Sequence, residues 1–253
     1  MGMYAMTGGA TGIGAAIKTQ LLSEGHEVIV IDIKDADIEA DLSSREGREL
    51  SNTELAKRAE AGLDGFIACA GVGSHINPPS LIARINYFGA IASIEGARDL
   101  VAKKKGAMLI VSSTSAMLGH NAELVALLEQ GDETAACEAA DALDGHSAYA
   151  GGKLALTRWM RLQCVEYAKN GVRLNAIAPG YTETPLTAPI ANHPDYGAAI
   201  SQYKASIPVG FAGTPEDQAS AACFLLSPQA RYICGSVLFV DGGSDAMARR
   251  AEF

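Results

Sequence analysis

The sequence predicts an α/β domain built on a doubly wound parallel sheet. Three observations predict it. Short apolar runs alternate with helical periodicities along most of the chain. The first run, Met3–Met6, leads directly into Thr7-Gly8-Gly9-Ala10-Thr11-Gly12-Ile13-Gly14, where a helical pattern opens. The second run, Glu27–Ile31, is β-branched and ends on Asp32. A glycine turn between strand and helix lets backbone come close to a ligand, and the helix N-terminus favours a phosphate. The spacing here is G-x-x-x-G-x-G, not the G-x-G-x-x-G of the usual dinucleotide fingerprint. Asp32, roughly 20 residues on, stands where an acid accepts hydrogen bonds from an adenosine ribose. Its carboxylate would repel a 2′-phosphate, so NAD(H) is favoured over NADP(H). No Arg or Lys lies in the glycine turn to offset it, and Lys34 follows two residues after the acid.

The remaining elements follow in order. The helix opening at Gly12 runs to about Glu24, with Ile13, Ala16, Ile17 and Leu21 inward. Ile38–Leu42 reads as a fragmentary third strand or a loop, because too few residues precede it for a helical crossover. Ser44 to about Ala61 is helical, with Leu50, Leu55 and Ala59 inward. A fourth strand, Phe66–Gly71, closes on the small residues Cys69, Ala70 and Gly71. Pro78-Pro79 marks a loop, and Ser80 is placed to cap one helix running to about Lys104. Asn86 lies inside that helix between Ile85 and Phe88 and must find partners. The fifth strand, Ala107–Val111, runs into Ser112-Ser113-Thr114-Ser115, hydroxyls at the end of a strand where open α/β sheets bind ligands. Ala122–Ala142 reads as one helix and His146–Lys169 as the next. The latter sets Tyr149 and Lys153 one turn apart on one face, and its Gly151-Gly152 pair implies close backbone packing. Val172–Ala178 is the sixth strand, ending at Pro179-Gly180. Residues 181–210, with Pro185, Pro189, Pro194 and Pro208, form a loop-like lid. Pro215–Leu226 is a helix, Ser236–Val240 the last strand, and Asp241-Gly242-Gly243 a turn.

Composition narrows the partners. The formal charge of -9, from 20 basic and 29 acidic side chains, repels nucleic acid and anionic membranes. Apolar runs are short and broken, so no transmembrane helix is expected. The N-terminus lacks the basic and apolar regions of a signal peptide. Met6 stands where a myristoylation signal has Ser or Thr. The five cysteines form no close sequence pair or CxxC, which fits reduced thiols in a cytoplasmic protein. The five histidines are scattered, so no metal site is expected.

Nine motifs now stand in one order along nearly the whole chain: Thr7-Gly8-x3-Gly12-x-Gly14, Asp32, Asp41-Leu42, Ala70-Gly71, Asn86, Ser113, Tyr149-x3-Lys153, Pro179-Gly180 with Thr184, and Asp241-Gly242-Gly243. In these residues the chain resembles the short-chain dehydrogenase/reductase family. Ile31-Asp32-Ile33, Ile85–Ala90 and Thr182-Glu183-Thr184-Pro185-Leu186 resemble its bacterial 3α-hydroxysteroid dehydrogenase/carbonyl reductase branch.

The resemblance implies a Rossmann-type sheet, order 3-2-1-4-5-6-7, in one domain spanning 1–253. It implies NAD-dependent interconversion of a secondary alcohol and a ketone, with Asn86, Ser113, Tyr149 and Lys153 as catalytic residues. A free phenol, with a pKa near ~10, is a poor base at neutral pH. Lys153 would lower it and also hold the nicotinamide ribose. Ser113 would place the substrate oxygen, and Asn86 would hold a water linking Lys153 to solvent. The implied cofactor-binding residues begin with Thr7, Gly8, Thr11, Gly12, Ile13 and Gly14 in the turn, then Asp32 and Ile33. Asp41 and Leu42 meet the adenine. Cys69, Ala70, Gly71, Tyr149 and Lys153 follow, then Pro179, Gly180, Thr182, Thr184, Pro185 and Leu186. Of these last, the backbone after Pro179 and the Thr184 side chain fix the nicotinamide carboxamide.

Two departures from the family pattern matter. Cys69 stands where the family usually has Asn, which implies altered packing rather than lost activity. Ser113 and Tyr149 are 36 positions apart rather than about a dozen, so roughly residues 117–145 form a helical insertion. It would obstruct the four-helix contact through which family members usually dimerise, and a homodimer built on residues 215–240 is expected instead. Leu186, Ile190 and Ile200 in a lid at about 184–208, with Met117 and Leu118, favour a hydrophobic substrate such as a 3-hydroxy or 3-keto steroid or a xenobiotic carbonyl. The alternatives are a small alicyclic, aryl or sugar-derived alcohol or ketone, and an NAD(H) sensor without turnover.

Overall fold

The computed structural model describes residues 1–191 and 197–251. Its strands are β1 (Met3–Thr7), β2 (Glu27–Asp32), β3 (Ile38–Glu39), β4 (Gly65–Ala68), β5 (Ala107–Val111), β6 (Arg173–Pro179) and β7 (Val237–Val240). They pair in parallel in the order β3-β2-β1-β4-β5-β6-β7. The order reverses between β1 and β4, which puts the ligand crevice of such a sheet at the carboxyl ends of these strands.

Period-two side chains sort the sheet into two cores. Tyr4, Met6, Ile67 and Leu109 point to the face covered by α1 (Gly12–Ser23) and α10 (Pro215–Leu226), where Ile17, Leu21, Ala222 and Leu226 are buried. Ala5, Phe66, Met108 and Ile110 point to the other face. Buried residues of α2 (Arg45–Arg58), α4 (Ala90–Ala102) and α7 (Gly145–Lys169) cover it, Leu55, Ile94 and Leu156 among them. Sandwiched strands read as continuous apolar runs, which is why they were visible in the sequence.

The fold departs from the sequence reading in several places. Leu50 does not face inward; it is 49% exposed, and the buried stripe of α2 is Gly47, Arg48, Ser51 and Leu55. Arg48 is turned in by a salt bridge of 2.7 Å to Glu133 of the inserted region. The helix expected over Ser80–Lys104 is three pieces: α3 (Ser80–Ala83), a π-helical turn over Arg84–Gly89, and α4. Ser80 does not cap it, because it is the first helical residue and Pro79 takes the cap position; the Ser80 N–H is bound by Asp141 Oδ1 at 2.8 Å. Ala122–Ala142 is two helices, α5 (Ala122–Gln130) and α6 (Glu133–Asp141), broken at Gly131 (φ 77°) with Asp132 capping α6. The lid is partly helical, with α8 (Ala188–Ala191) and α9 (Gly197–Ser206). A short α11 (Ser244–Ala248) follows the last turn.

The inserted pair packs on α7 and α3. A Cβ on Gly151 would stand 3.3 Å from Leu124 Cδ2 of α5, so the close neighbour there is a side chain and not the backbone the sequence reading expects. Gly152 is different: a Cβ there meets nothing within 4 Å. Glycine in a helix interior costs about 1 kcal/mol relative to alanine. Gly152→Ala is therefore expected to stabilise the protein by about 1 kcal/mol, read as a higher midpoint in urea unfolding, whereas Gly151→Ala gains less.

Candidate active site

The glycine turn is closed by its own backbone. A Cβ on Gly14 would overlap the carbonyl oxygen of Gly8, and one on Gly8 would stand 2.5 Å from the Ala70 nitrogen. Thr7 Oγ1 accepts the N–H groups of Cys69 at 3.2 Å and Ala70 at 3.1 Å, tying the ends of β1 and β4 together. Thr11, the N-cap of α1, makes no side-chain capping bond. The first N–H groups of α1 thus keep no side-chain acceptor from the cap, and this suits the turn to a phosphate. Asp32, last residue of β2, takes the Ala10 N–H at 3.1 Å and the Ile33 N–H at 2.8 Å on its two carboxylate oxygens. Ile33 itself is exposed. Asp41 accepts the Ser43 N–H at 2.9 Å, and Leu42 is buried against Gly89. Thr184 and Pro185 overhang Gly12, 3.6 and 3.9 Å from where its Cβ would be. These residues fit a dinucleotide: an anion cradle, a carboxylate facing it, and an overhanging loop.

The four residues named as catalytic converge beside this crevice. Tyr149 is hydrogen-bonded to Ser113, just beyond β5. Burial raises the tyrosine's pKa above its ordinary value, and the Ser113 hydroxyl pulls the other way without reversing it; the lowering expected from Lys153 is not found. Lys153 is buried, and desolvation lowers its ammonium to about 8. Its Nζ donates to the Val111 carbonyl at 2.7 Å and stands 5.7 Å from the Tyr149 ring centroid. Asn86 sits in the π turn, a feature frequent at functional sites. Its Oδ1 accepts the Val72 N–H at 2.8 Å, and its Nδ2 donates to the Val72 carbonyl at 2.9 Å. A Cβ on Gly71 would lie 3.1 Å from Asn86 Oδ1 and 4.0 Å from Lys153 Nζ, so that glycine keeps the two together. Cys69 lies in the electrostatic reach of Tyr149, Lys153 and Asp32, and burial pushes its thiol up to about 12.

The far rim follows β6. Gly180 N–H binds the Val240 carbonyl at 3.0 Å, so Pro179 and Gly180 stay against β7. Thr182 is buried and receives Gln218 Nε2 at 3.2 Å, while the same nitrogen holds the Val240 carbonyl at 2.9 Å. Gln218 escaped the sequence reading. Its signal was a polar residue on the buried stripe of α10, in step with Ala222, Leu225 and Leu226. Thr187 escaped it too; its Oγ1 donates to the Thr182 carbonyl at 2.7 Å and accepts the Thr184 N–H at 3.0 Å. Leu186 packs 3.3 Å from a Cβ position on Gly73, and Met117 and Leu118 are exposed. Residues 192–196 of the expected lid, with Pro194, and the Ile190 side chain lie outside the described residues. Among the described residues no group of His, Cys, Asp or Glu is placed to hold a metal, and no helix is long and apolar enough to cross a membrane.

A switch-point glycine turn facing a strand-end carboxylate, beside a half-buried Tyr149 and a buried Lys153, defines a dinucleotide-dependent oxidoreductase. Comparison with known proteins narrows this class. The chain is 40% identical over 261 aligned residues, covering all of both chains, to a 3-alpha-hydroxysteroid dehydrogenase/carbonyl reductase of Comamonas testosteroni. It is 30% identical over 97% of its length, and of the relative's, to 2-(S)-hydroxypropyl-CoM dehydrogenase 3 of Xanthobacter autotrophicus. A crystal structure of the 3-alpha-hydroxysteroid dehydrogenase from Pseudomonas sp. B-0831, complexed with NADH, superposes with a TM-score of 0.95 at 43% identity, covering 99% of this chain and 100% of the other. A family model described as enoyl-(acyl carrier protein) reductase matches residues 133–245. The chain belongs to the short-chain dehydrogenase/reductase family. It is an oxidoreductase that uses a nicotinamide cofactor and interconverts secondary alcohols and ketones.

Proposed function

We propose that the chain, acting as one cofactor-binding domain over residues 1–253, is an NAD(H)-dependent cytoplasmic carbonyl reductase and alcohol dehydrogenase of hydrophobic substrates. A 3-hydroxy or 3-keto steroid or a xenobiotic ketone is the proposed substrate class. The observation that carries this reading is the cluster of half-buried Ser113 and Tyr149 with buried Lys153 and Asn86, opening onto the crevice. When bound, the nicotinamide gives or takes the hydride at the carbinol carbon. Ser113 holds the substrate oxygen. Tyr149, kept protonated by burial, donates its proton to the oxygen as the ketone is reduced and takes it back in the reverse direction. Lys153 supplies the nearby positive charge that makes this transfer less costly. Asn86 has both polar ends of its side chain on the Val72 backbone, so in the proposed relay it would take the water on the remaining lone pair of Oδ1. Likeness to the hydroxysteroid enzymes supports the steroid class, as do the apolar Leu186, Met117 and Leu118. A panel of steroid 3-ketones, small alicyclic ketones and aryl ketones, each with NADH and NADPH, tests it. Turnover of steroids with NADH is expected. Turnover of small ketones alone moves the substrate class, and tight NADH binding without turnover makes the protein a sensor.

Asp32 supports NAD over NADP. Hydrogen bonds to a charged acceptor are each worth about 1.5–3 kcal/mol, or about 10- to 100-fold. Asp32→Ala is therefore expected to weaken NADH binding by roughly 10- to 100-fold while raising activity with NADPH. Cofactor titrations by fluorescence, with circular dichroism to verify folding, check it.

The proposed assembly is a homodimer across α10 and β7. The insertion helix α5 lies on α7, with Arg158 paired to Glu129 at 3.3 Å, and obstructs the usual helical contact. Phe224 on α10 and Leu238 on the edge strand β7 are left 44% and 38% exposed. Light scattering should give a dimer of the 26.3 kDa chain, and Phe224→Asp should convert it to a monomer. A tetramer that falls apart when the exposed face of α7 is altered overturns this arrangement.

A further inference from the structure

Cys164 and Cys234 are 70 positions apart and play no part in the site, yet the fold brings them together. Each thiol lies within electrostatic reach of the other. Cys234 Sγ also lies 3.7 Å from the Cys164 carbonyl, and Cys164 Sγ donates to the Arg161 carbonyl at 3.2 Å. The backbone after Cys234 comes so close that a Cβ on Gly235 would stand 2.7 Å from Cys164 Sγ.

The segment that carries Cys234 is pinned from two sides. Arg161, one turn before Cys164 on α7, donates to the Gly235 carbonyl at 2.9 Å. From β6, Asn175 Nδ2 holds the Ile233 carbonyl at 3.0 Å, and the Leu174 carbonyl accepts the Gly235 N–H at 2.8 Å. Two thiols held side by side by rigid elements react as an intramolecular pair at high effective concentration. On the single chain Cys234 is exposed and Cys164 half-buried, so a small oxidant reaches the pair unless the proposed dimer covers it, whereas Cys137 and Cys223 are buried.

We propose that Cys164 and Cys234 form a reversible intramolecular disulfide when the folded protein meets hydrogen peroxide. The exposed Cys234 thiol is oxidised first: thiol and peroxide give a sulfenic acid and one water. The Cys164 thiol then attacks that sulfur, the S–S bond forms, and the hydroxyl leaves as a second water with the Cys164 proton. Two thiols and one peroxide thus become one disulfide and two waters. The bond joins α7, which carries Tyr149 and Lys153, to the segment entering β7. Both are already held in place, so the expected consequence is added stability with activity unchanged.

The test treats the folded protein with stoichiometric peroxide, blocks free thiols under denaturation, and maps peptides. Three of the five thiols should remain, with a 164–234 crosslink that dithiothreitol reverses. Oxidation should raise the melting temperature of the wild type and leave that of Cys164→Ser and Cys234→Ser unmoved. Three results overturn the proposal: five thiols persisting, as when a dimer shields Cys234; a crosslink between two chains; or Cys234 carried to sulfinic acid with Cys164 still free.

Discussion

Tyr149→Phe is expected to lose turnover by roughly 100- to 10,000-fold, the range of a positioned acid or base, while NADH still binds. The variant removes one oxygen. It leaves the ring beside Lys153 and the backbone of α7 intact, so the anion cradle and Asp32 are untouched. The phenol is the group on Ser113 whose proton can move at the substrate oxygen. Ser113 without it keeps a hydroxyl that can place the oxygen but is a far weaker acid. Steady-state rates on a ketone, set beside an NADH titration, separate the two effects. A Tyr149→Phe protein with full activity would remove Tyr149 from proton transfer and leave the cluster a purely architectural one.

The second large effect lies at Gly14. Alanine there drives its methyl group into the Gly8 carbonyl oxygen. Both ends of this contact are backbone, and no side chain can rotate away. The turn must open, and overpacking of this kind costs about 1–3 kcal/mol. Because the displaced atoms are the cradle itself, Gly14→Ala is expected to lose at least about 100-fold in NADH affinity, equivalent to about 3 kcal/mol. Calorimetric titration measures that loss, and a thermal melt reports the accompanying destabilisation. Gly152→Ala, which adds the same methyl group where nothing stands within 4 Å, is the matched control.

Much of the molecule was legible because its signals are local. Strands buried on both faces show as continuous apolar runs, and α10 carries Thr214 with Asp217 in a capping box and Pro215 at its start. The Tyr149 and Lys153 pair was legible because four residues make one helical turn. What escaped depends on residues far apart in sequence. The sequence put Leu50 inward, but the rotation of α2 is set partly by Arg48 reaching Glu133, 85 positions away. The break at Gly131 was overlooked because alanine and leucine on both sides keep the helical pattern. In the π turn at Asn86, Val72 claims both polar ends of that side chain. A period of 3.6 cannot reveal such a demand. The meeting of Cys164 with Cys234 likewise depends on β7 lying beside β6.

The helix α9 has no buried residue. It is fastened from outside, by the pairing of Lys204 with Glu183 and by Tyr203 edge-on to Tyr181 at 6.4 Å between ring centroids. Substitutions along it leave no cavity in either core, so mutation can explore this segment at little cost to folding. The cradle is the opposite case, with backbone against backbone and no tolerance for a single methyl group. Tolerance of change in this protein is therefore uneven: α9 is expected to accept substitutions that the nucleotide seat does not.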